Sequence, residues 1–154
     1  MKRKIVAMLT AVALCATCMA NLGFESKAED REEDISYSEL MTEDALVGYA
    51  VNITRGVYYL DGHSIINKMS SIKIGAGGTT SAAKKCRVST NAIVEKLENG
   101  SWVREASWTT TVESGFSAMV SKSLIVDNGY YYRVRCIHYA ASDRSSSYTS
   151  SLWM

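Results

Sequence analysis

The sequence predicts an all-β fold, an antiparallel β-sandwich of about seven to eight strands. In short segments between residues 50 and 152, apolar and polar residues alternate with the period of a half-buried strand. Turn signals such as Asn99-Gly100 and Asp127-Asn128-Gly129 separate several of these segments. The sequence contains no proline, and no long segment has a convincing helical period.

The clearest strand follows the turn at residues 127–129. Its alternation places one set of side chains on one face, Tyr130, Tyr132, Val134 and Cys136, and a second set on the other, Tyr131, Arg133 and Arg135. Aromatic and β-branched residues favour extended backbone. We therefore predict a central strand that is buried on one side and exposed to water on the other.

A second strong strand is predicted at residues 85–97. The turn Glu98-Asn99-Gly100-Ser101 ends it, and residues 102–110 return as the other half of a hairpin. Trp102 and Trp108 have the same parity on the returning strand. The face that each tryptophan occupies stays ambiguous unless a β-bulge lies between them.

Weaker patterns complete the predicted sandwich. Strands are expected at residues 50–53, at 57–60 with a hairpin turn at Asp61-Gly62 and a return at 64–66, and at 69–74, 116–126 and 148–152. Residues 75–83 are expected to form a loop or a flat edge, because their Gly, Thr, Ser and Ala side chains cannot fill a core. Residues 140–147 are expected to form a polar loop.

The N-terminus has the features of a secretory signal peptide, assigned to residues 1–28. A basic start at residues 2–4 precedes an apolar run, Ile5–Met19, that is shorter than the ~20 residues needed to span a bilayer. Cleavage after Ala28 is favoured over cleavage after Ala20, and retention as a membrane anchor is the alternative. Neither Cys15 nor Cys18 fits a lipidation motif. We therefore expect a secreted protein with no stable membrane insertion, either released or held at the cell wall by contact.

Charge divides the remaining chain into an acidic leader, residues 29–45, and a domain, residues 46–154. The leader is expected to be flexible, with one or two helical turns within residues 36–46 and Ser38 as N-cap. From Ala45 onward there are twelve Lys or Arg and seven Asp or Glu residues, spread among the strands. This mild and scattered excess argues against nucleic acid as a partner.

Removal of the signal peptide leaves two cysteines, Cys86 and Cys136. An even pair in an exported chain predicts a disulfide, with two free buried thiols as the alternative. The chain-entropy model gives such a cross-link about 4 kcal/mol of stabilisation.

The order Cys86, Trp102, Cys136 resembles the immunoglobulin arrangement, in which two cysteines pair across the layers over a tryptophan. Val134 stands where an immunoglobulin domain has tyrosine. Leu124, followed by Tyr130 six residues later, is instead similar to the tyrosine corner of fibronectin type III domains. These resemblances cover about residues 70–154 and imply an Ig-like sandwich of open subtype.

The whole layout also resembles a family of small, exported, uncharacterised proteins of Gram-positive bacteria. The matching segments are the predicted hairpin Arg55–Gly62, the turn Asn99–Trp102 and the strand Gly129–Val134. This resemblance implies export and a β fold, and it implies no known activity.

The residues give little support for catalysis or for a cofactor. His63 and His138 are the only histidines, and no serine lies in a recognisable nucleophile motif. Cys136 and His138 share a face, but a core position for both is the favoured interpretation over a dyad. No zinc, calcium or phosphate-binding motif is present, and Glu95, Glu105 and Glu113 are interpreted as solvent-facing. We therefore predict a protein that is not an enzyme, with no cofactor and no metal.

Binding is the remaining class of function. Tyr131, Arg133 and Arg135 form an outward row that is typical of interaction surfaces, with an ordinary solvated face as the alternative. Trp108 and Trp153 are further candidates for stacking on a ligand, with core packing as the alternative. The predicted function is a secreted binding or adhesion module for an extracellular protein or glycan. The alternative is a secreted bacteriocin-like effector acting on other cells.

Overall fold

The computed structural model describes residues 31–50 and 56–154. The predicted signal peptide and the predicted strand residues Val51 and Ile53 lie outside this part of the chain. Within it the elements are β1 Glu32–Asp34, α1 Tyr37–Leu40, β2 Leu46–Tyr49, β3 Tyr59–Lys68, β4 Lys73–Glu98, β5 Ser101–Ile125, β6 Tyr131–Ala140, β7 Asp143–Tyr148 and β8 Leu152–Trp153.

All strand pairs are antiparallel, and the long hairpin of β4 and β5 runs through two layers. Residues 73–81 of β4 pair with β3 and with residues 117–125 of β5, while β2 and β1 flank them; this is the back layer. Residues 88–98 of β4 pair with residues 101–112 of β5 and with β6, which β7 and β8 extend; this is the front layer. The predicted all-β antiparallel sandwich is therefore confirmed.

The layers pack on each other through small and β-branched side chains. Ile66, Ile74 and Ala76 of the back layer join Ala92 and Val134 of the front layer in one buried cluster. Strands β4 and β5 pass from one layer to the other near residues 81–86 of β4. The pairing register between β4 and β5 shifts there, and such an irregularity lets a strand pair bend.

The hairpin predicted at residues 98–101 is confirmed. Asn99 and Gly100 have φ angles of 48° and 78°. These two left-handed residues are what a two-residue turn needs to match the twist of its strands.

A bulge lies between the two tryptophans of β5. Val94 pairs with Ala106 whereas Glu95 pairs with Arg104, so Glu105 is the extra residue. An extra residue reverses the alternation of a strand. Consequently Trp108 packs against the buried core while Trp102 lies on the outer face of the front layer, against the Arg133 guanidinium.

The segment at residues 75–83 is neither a loop nor a flat edge, contrary to prediction, but belongs to β4 in the centre of the back layer. Its glycines permit close approach. A Cβ atom at Gly78 would lie 2.5 Å from Sγ of Cys136, and one at Gly77 would lie 2.9 Å from Cδ2 of Leu40. Small residues here make room for groups from the other layer and from α1.

The acidic leader is also part of the fold in residues 31–45, so the prediction of a flexible leader is wrong there. Strand β1 pairs with β5, with Glu32 opposite Leu124. Ser36, rather than Ser38, caps α1 in a capping box with Glu39. Leu40 is fully buried, and Asn67 Nδ2 donates to its carbonyl oxygen at 2.9 Å. The folded unit therefore spans residues 31–154.

Three further predictions are wrong. Strand β3 continues through Asp61-Gly62 without turning, and residues 69–72 connect β3 to β4 instead of starting a strand. The predicted loop at 140–147 contains β7, which pairs with β6 after a turn at residues 141–142 where Ala141 has a φ of 51°. The strand β7 escaped prediction because its inward residue, Ser147, is polar and bonds to His138.

The predicted disulfide is wrong, since Cys86 and Cys136 are both free. Cys136 pairs with Ala92, six residues along β4 from Cys86, so about 20 Å of extended strand separates the cysteine positions. A disulfide needs Cα atoms within about 7 Å. Because Trp102 faces outward as well, the Cys–Trp–Cys arrangement that suggested an immunoglobulin subtype does not form.

The tyrosine at the corner is Tyr132 rather than Tyr130. Its hydroxyl donates to the carbonyl oxygen of Asp127 at 3.0 Å, and its ring is fully buried. Burial raises the pKa of Tyr132 to about 12. This bond to the backbone five residues upstream is the geometry of a tyrosine corner.

Candidate functional site

The candidate site is the outer face of the front layer, called here the front face. It comprises the outward side chains of β6 and of the strands beside it. Tyr131, Arg133 and Arg135 point outward as predicted, because neighbouring β6 residues such as Tyr132 and Val134 are buried.

Glu95 organises the charges of the front face. It lies opposite Arg133 in the β4–β6 register, and its two carboxylate oxygens accept from Nε of Arg133 at 2.7 Å and from Nε of Arg135 at 3.1 Å. Its side chain is only 9% exposed. The expectation that Glu95 faces solvent is therefore wrong, because two long cationic side chains cover it.

Both arginines keep unused donors. A guanidinium has five N–H groups, and in the described part of the chain Glu95 engages only the Nε of each. The Nη groups of Arg133 and Arg135 make no hydrogen bond to any described residue. The two side chains are 25% and 30% exposed, so these donors are within reach of a ligand.

Arg133 is held between two aromatic rings. Its guanidinium carbon lies 4.2 Å from the ring centroid of Trp102 and 5.1 Å from that of Tyr148. The stack fixes the plane of the guanidinium. Sequence reasoning missed Trp102, since the bulge that turns it outward leaves no recognisable sequence pattern. It also missed the role of Tyr148, which was predicted to start a strand at residues 148–152 but ends β7 instead.

A second aromatic pair lies at the end of β6. Trp153 of β8 is opposite Tyr131, and their ring centroids are 4.8 Å apart in an edge-on arrangement. Both remain exposed, Tyr131 at 44% and Trp153 at 53%. They give the front face an apolar surface of ring faces beside its arginines.

Trp108 does not belong to this surface, although the sequence made it a candidate. Its ring packs partly buried against the core, and Nε1 donates to Oε2 of Glu32 at 2.7 Å. The stacking role predicted for Trp108 is therefore wrong, and the alternative of core packing is the one observed.

The front face carries a net positive charge. Arg104 lies opposite Glu95 in the β4–β5 register, and Arg144 lies opposite Tyr139 with its guanidinium 5.6 Å from that ring. Arg104, Arg133 and Arg135 therefore place three guanidinium groups around the carboxylate of Glu95, and Arg144 lies beside a position six residues farther along β6. Arg104 makes no ion pair with any residue that the structure describes.

His138 and Cys136, two groups with catalytic potential, are enclosed between the layers. His138 is fully buried, with Nδ1 2.8 Å from Oγ1 of Thr80 and Nε2 2.8 Å from Oγ of Ser147. Burial lowers the pKa of His138 to about 4, and it raises the pKa of the Cys136 thiol, whose Sγ donates to the Gly77 carbonyl. Cys136 and His138 therefore bond to other partners and form no dyad.

No group of three or more His, Cys, Asp or Glu side chains in residues 31–50 and 56–154 is arranged to hold a metal ion. Among the helices of the same residues, none is long and apolar enough to cross a membrane.

Comparison with known proteins adds little. No family model matches the chain, and no curated protein matches it. Among solved structures, a β-glucuronidase from glycoside hydrolase family 2 is similar over 60% of this chain at 12% identity and a TM-score of 0.36. The similar region is 11% of that enzyme's length.

Proposed function

We propose that this protein is a secreted, non-enzymatic binding module whose ligand, an extracellular glycan or protein, docks on the front face. The observation that carries the proposal is the aromatic and arginine surface around Glu95. The N-terminal sequence supports export through its signal-like pattern.

The front face is preorganised for binding. Its side chains stand on paired strands, and the Glu95 carboxylate together with the rings of Trp102 and Tyr148 fixes Arg133 before any ligand arrives. Fixing side chains in advance reduces the entropy lost on association. Exposed Tyr, Trp and Arg residues are also those most often found at the energetic centre of interfaces.

The buried chemistry agrees with a binding role. His138 bonds to Thr80 of the back layer and to Ser147 of its own layer, Cys136 donates to the Gly77 carbonyl of the back layer, and His138, Ser147 and Cys136 have almost no exposed surface. A substrate on the front face would meet arginine and aromatic side chains, which suit recognition better than proton transfer or nucleophilic attack at neutral pH.

The proposal is tested by screening the purified mature protein on glycan and protein arrays, beside Tyr131→Ala and Trp153→Ala variants. We expect a ligand whose signal falls at least about tenfold in both variants, as for hot-spot aromatic residues. Phe116→Ala is the matched control, because Phe116 is 58% exposed but lies on β5 away from this face. Hits that survive both front-face changes would refute the assignment of this surface.

A further inference from the structure

We infer that the ligand of the front face is a carboxylate-bearing polysaccharide, which lies along β6 with acidic groups on the arginines and a sugar ring on the Tyr131–Trp153 pair. This inference rests on the proposed function and specifies its ligand class. Charge complementarity, the geometry of the arginine donors and the exposed aromatic pair beside them carry it.

Charge selects an anion. Around Glu95 the front face has three guanidinium groups, those of Arg104, Arg133 and Arg135, and one carboxylate, a local charge of +2, although the formal charge of the whole chain is only +1. The one carboxylate is already shared by two arginines. A neutral ligand would leave the exposed donors of these arginines without charged partners.

The donor geometry selects a planar anion. Arg133 and Arg135 grip the two oxygens of one carboxylate, that of Glu95, through their Nε atoms. Each retains the outer Nη edge, and a guanidinium edge matches the planar fork of a carboxylate. The site thus already holds one carboxylate and presents unfilled donors of the same kind to solvent.

The neighbouring side chains select a sugar. Tyr131 is two residues from Arg133 on the same face, so about 7 Å separates the aromatic position from the first arginine position. Farther along the same face, Asn91 of β4 donates through Nδ2 to Oγ of Ser107 and to Oγ1 of Thr109, so the surface beyond the arginines is polar.

The test measures binding of polygalacturonate, a carboxylated polysaccharide, and of its fully methyl-esterified form by isothermal titration calorimetry. We expect binding of the acid that weakens steeply with added salt, and at least about tenfold weaker binding of the ester, because esterification removes the charge and keeps the ring. Equal affinity for both polymers would overturn the inference.

Two variants separate the site from general electrostatics. Arg135→Gln should weaken binding of polygalacturonate about tenfold, the loss expected for one charge-assisted pair, and Arg135→Lys should only partly restore it. Arg87→Gln removes the same charge at an exposed ion pair with Glu113 and should leave affinity unchanged. Equal losses in Arg135→Gln and Arg87→Gln would overturn the inference. Circular dichroism establishes that each variant is folded.

Binding of other ligands shows whether only the proposed ligand class is wrong or whether the proposed binding function is wrong as well. Dextran sulfate or a single-stranded oligodeoxynucleotide that binds as tightly as polygalacturonate would show a general polyanion surface and overturn carboxylate recognition. An array ligand that needs Tyr131 but is insensitive to Arg135→Gln would preserve the proposed binding function and overturn only its ligand class.

Discussion

Glu95 is the residue on which the order of the front face depends. It is nearly buried, and without its charge the guanidinium groups of Arg133 and Arg135 would repel each other across a short distance. The sequence shows only an acidic residue within a strand. Its partners become visible once register places β6 beside β4, which no local pattern specifies.

Glu95→Gln should lower the free energy of unfolding by about 1–2 kcal/mol, less than a fully buried pair would lose, because both arginines are partly exposed to water. Urea denaturation measures the change. Glu113→Gln, at an exposed pair with Arg87, is the control and should change stability by less than about 0.5 kcal/mol. Equal losses of stability in Glu95→Gln and Glu113→Gln would mean that Glu95 does not hold Arg133 and Arg135 in place.

His138 should make the fold sensitive to acid. Burial lowers its folded pKa to about 4, from 6.5 in the unfolded chain, so the unfolded state binds the proton more readily between these values. Its contribution to stability is therefore fully present above pH 6.5 and is lost as pH falls toward 4, amounting to about 3 kcal/mol at most.

Urea denaturation across pH 7.5 to 4 measures this effect. The charges of His63 and Asp61 also act on His138, and His63 is itself a histidine, so the comparison uses His138→Gln and His63→Gln. We expect His138→Gln to flatten the pH profile above pH 4 and His63→Gln to flatten it less. An unchanged slope in His138→Gln would show that another group causes the acid sensitivity.

At the scale of elements, the sequence predicts the strands and turns that neighbouring residues specify on their own. Alternation identified β6, and the Asn99-Gly100 pair identified the tip of the β4–β5 hairpin. The central part of β4 was missed because its glycines carry no apolar side chains, although contacts with Cys136 and Leu40 require such small residues there. The folded part of the acidic leader was also missed, because it pairs with β5, about 90 residues away in the sequence, and no local pattern indicates that pairing.

Gly77→Ala should destabilise the back layer, because the added Cβ would overlap the Val120 carbonyl oxygen and press on Leu40 of α1. We expect a loss of about 2–3 kcal/mol, the upper range for overpacking. Thr79→Ala, the next outward position on β4, is the control and should cost less than about 1 kcal/mol. A tolerated Gly77→Ala would mean that α1 does not dock as described. Thermal unfolding measures both variants.

At the scale of the whole molecule, the sandwich is held by packing and backbone pairing rather than by a disulfide between Cys86 and Cys136.

The reactivity of the two thiols tests whether this disulfide is absent. In the native protein a thiol reagent should quickly modify Cys86, which is partly exposed. The same reagent should modify Cys136 only on unfolding, because burial shields its Sγ and raises the pKa of its thiol. Mass spectrometry of the mature protein without reductant counts the modified sites. A mass lower by two hydrogen atoms, with neither cysteine reactive after unfolding, would show a disulfide instead.

The central claim is that the front face is the binding surface, and the three tryptophans of the chain test it most directly. Each gives one indole N–H signal in a ¹⁵N–¹H spectrum. On titration with polygalacturonate, we expect shifts of the Trp102 and Trp153 signals and of the amide signals of residues 131–135. The Trp108 signal, from a ring packed against the core, should stay in place. Shifts confined to Trp108 and the back layer, or none anywhere at saturating polymer, would contradict the account.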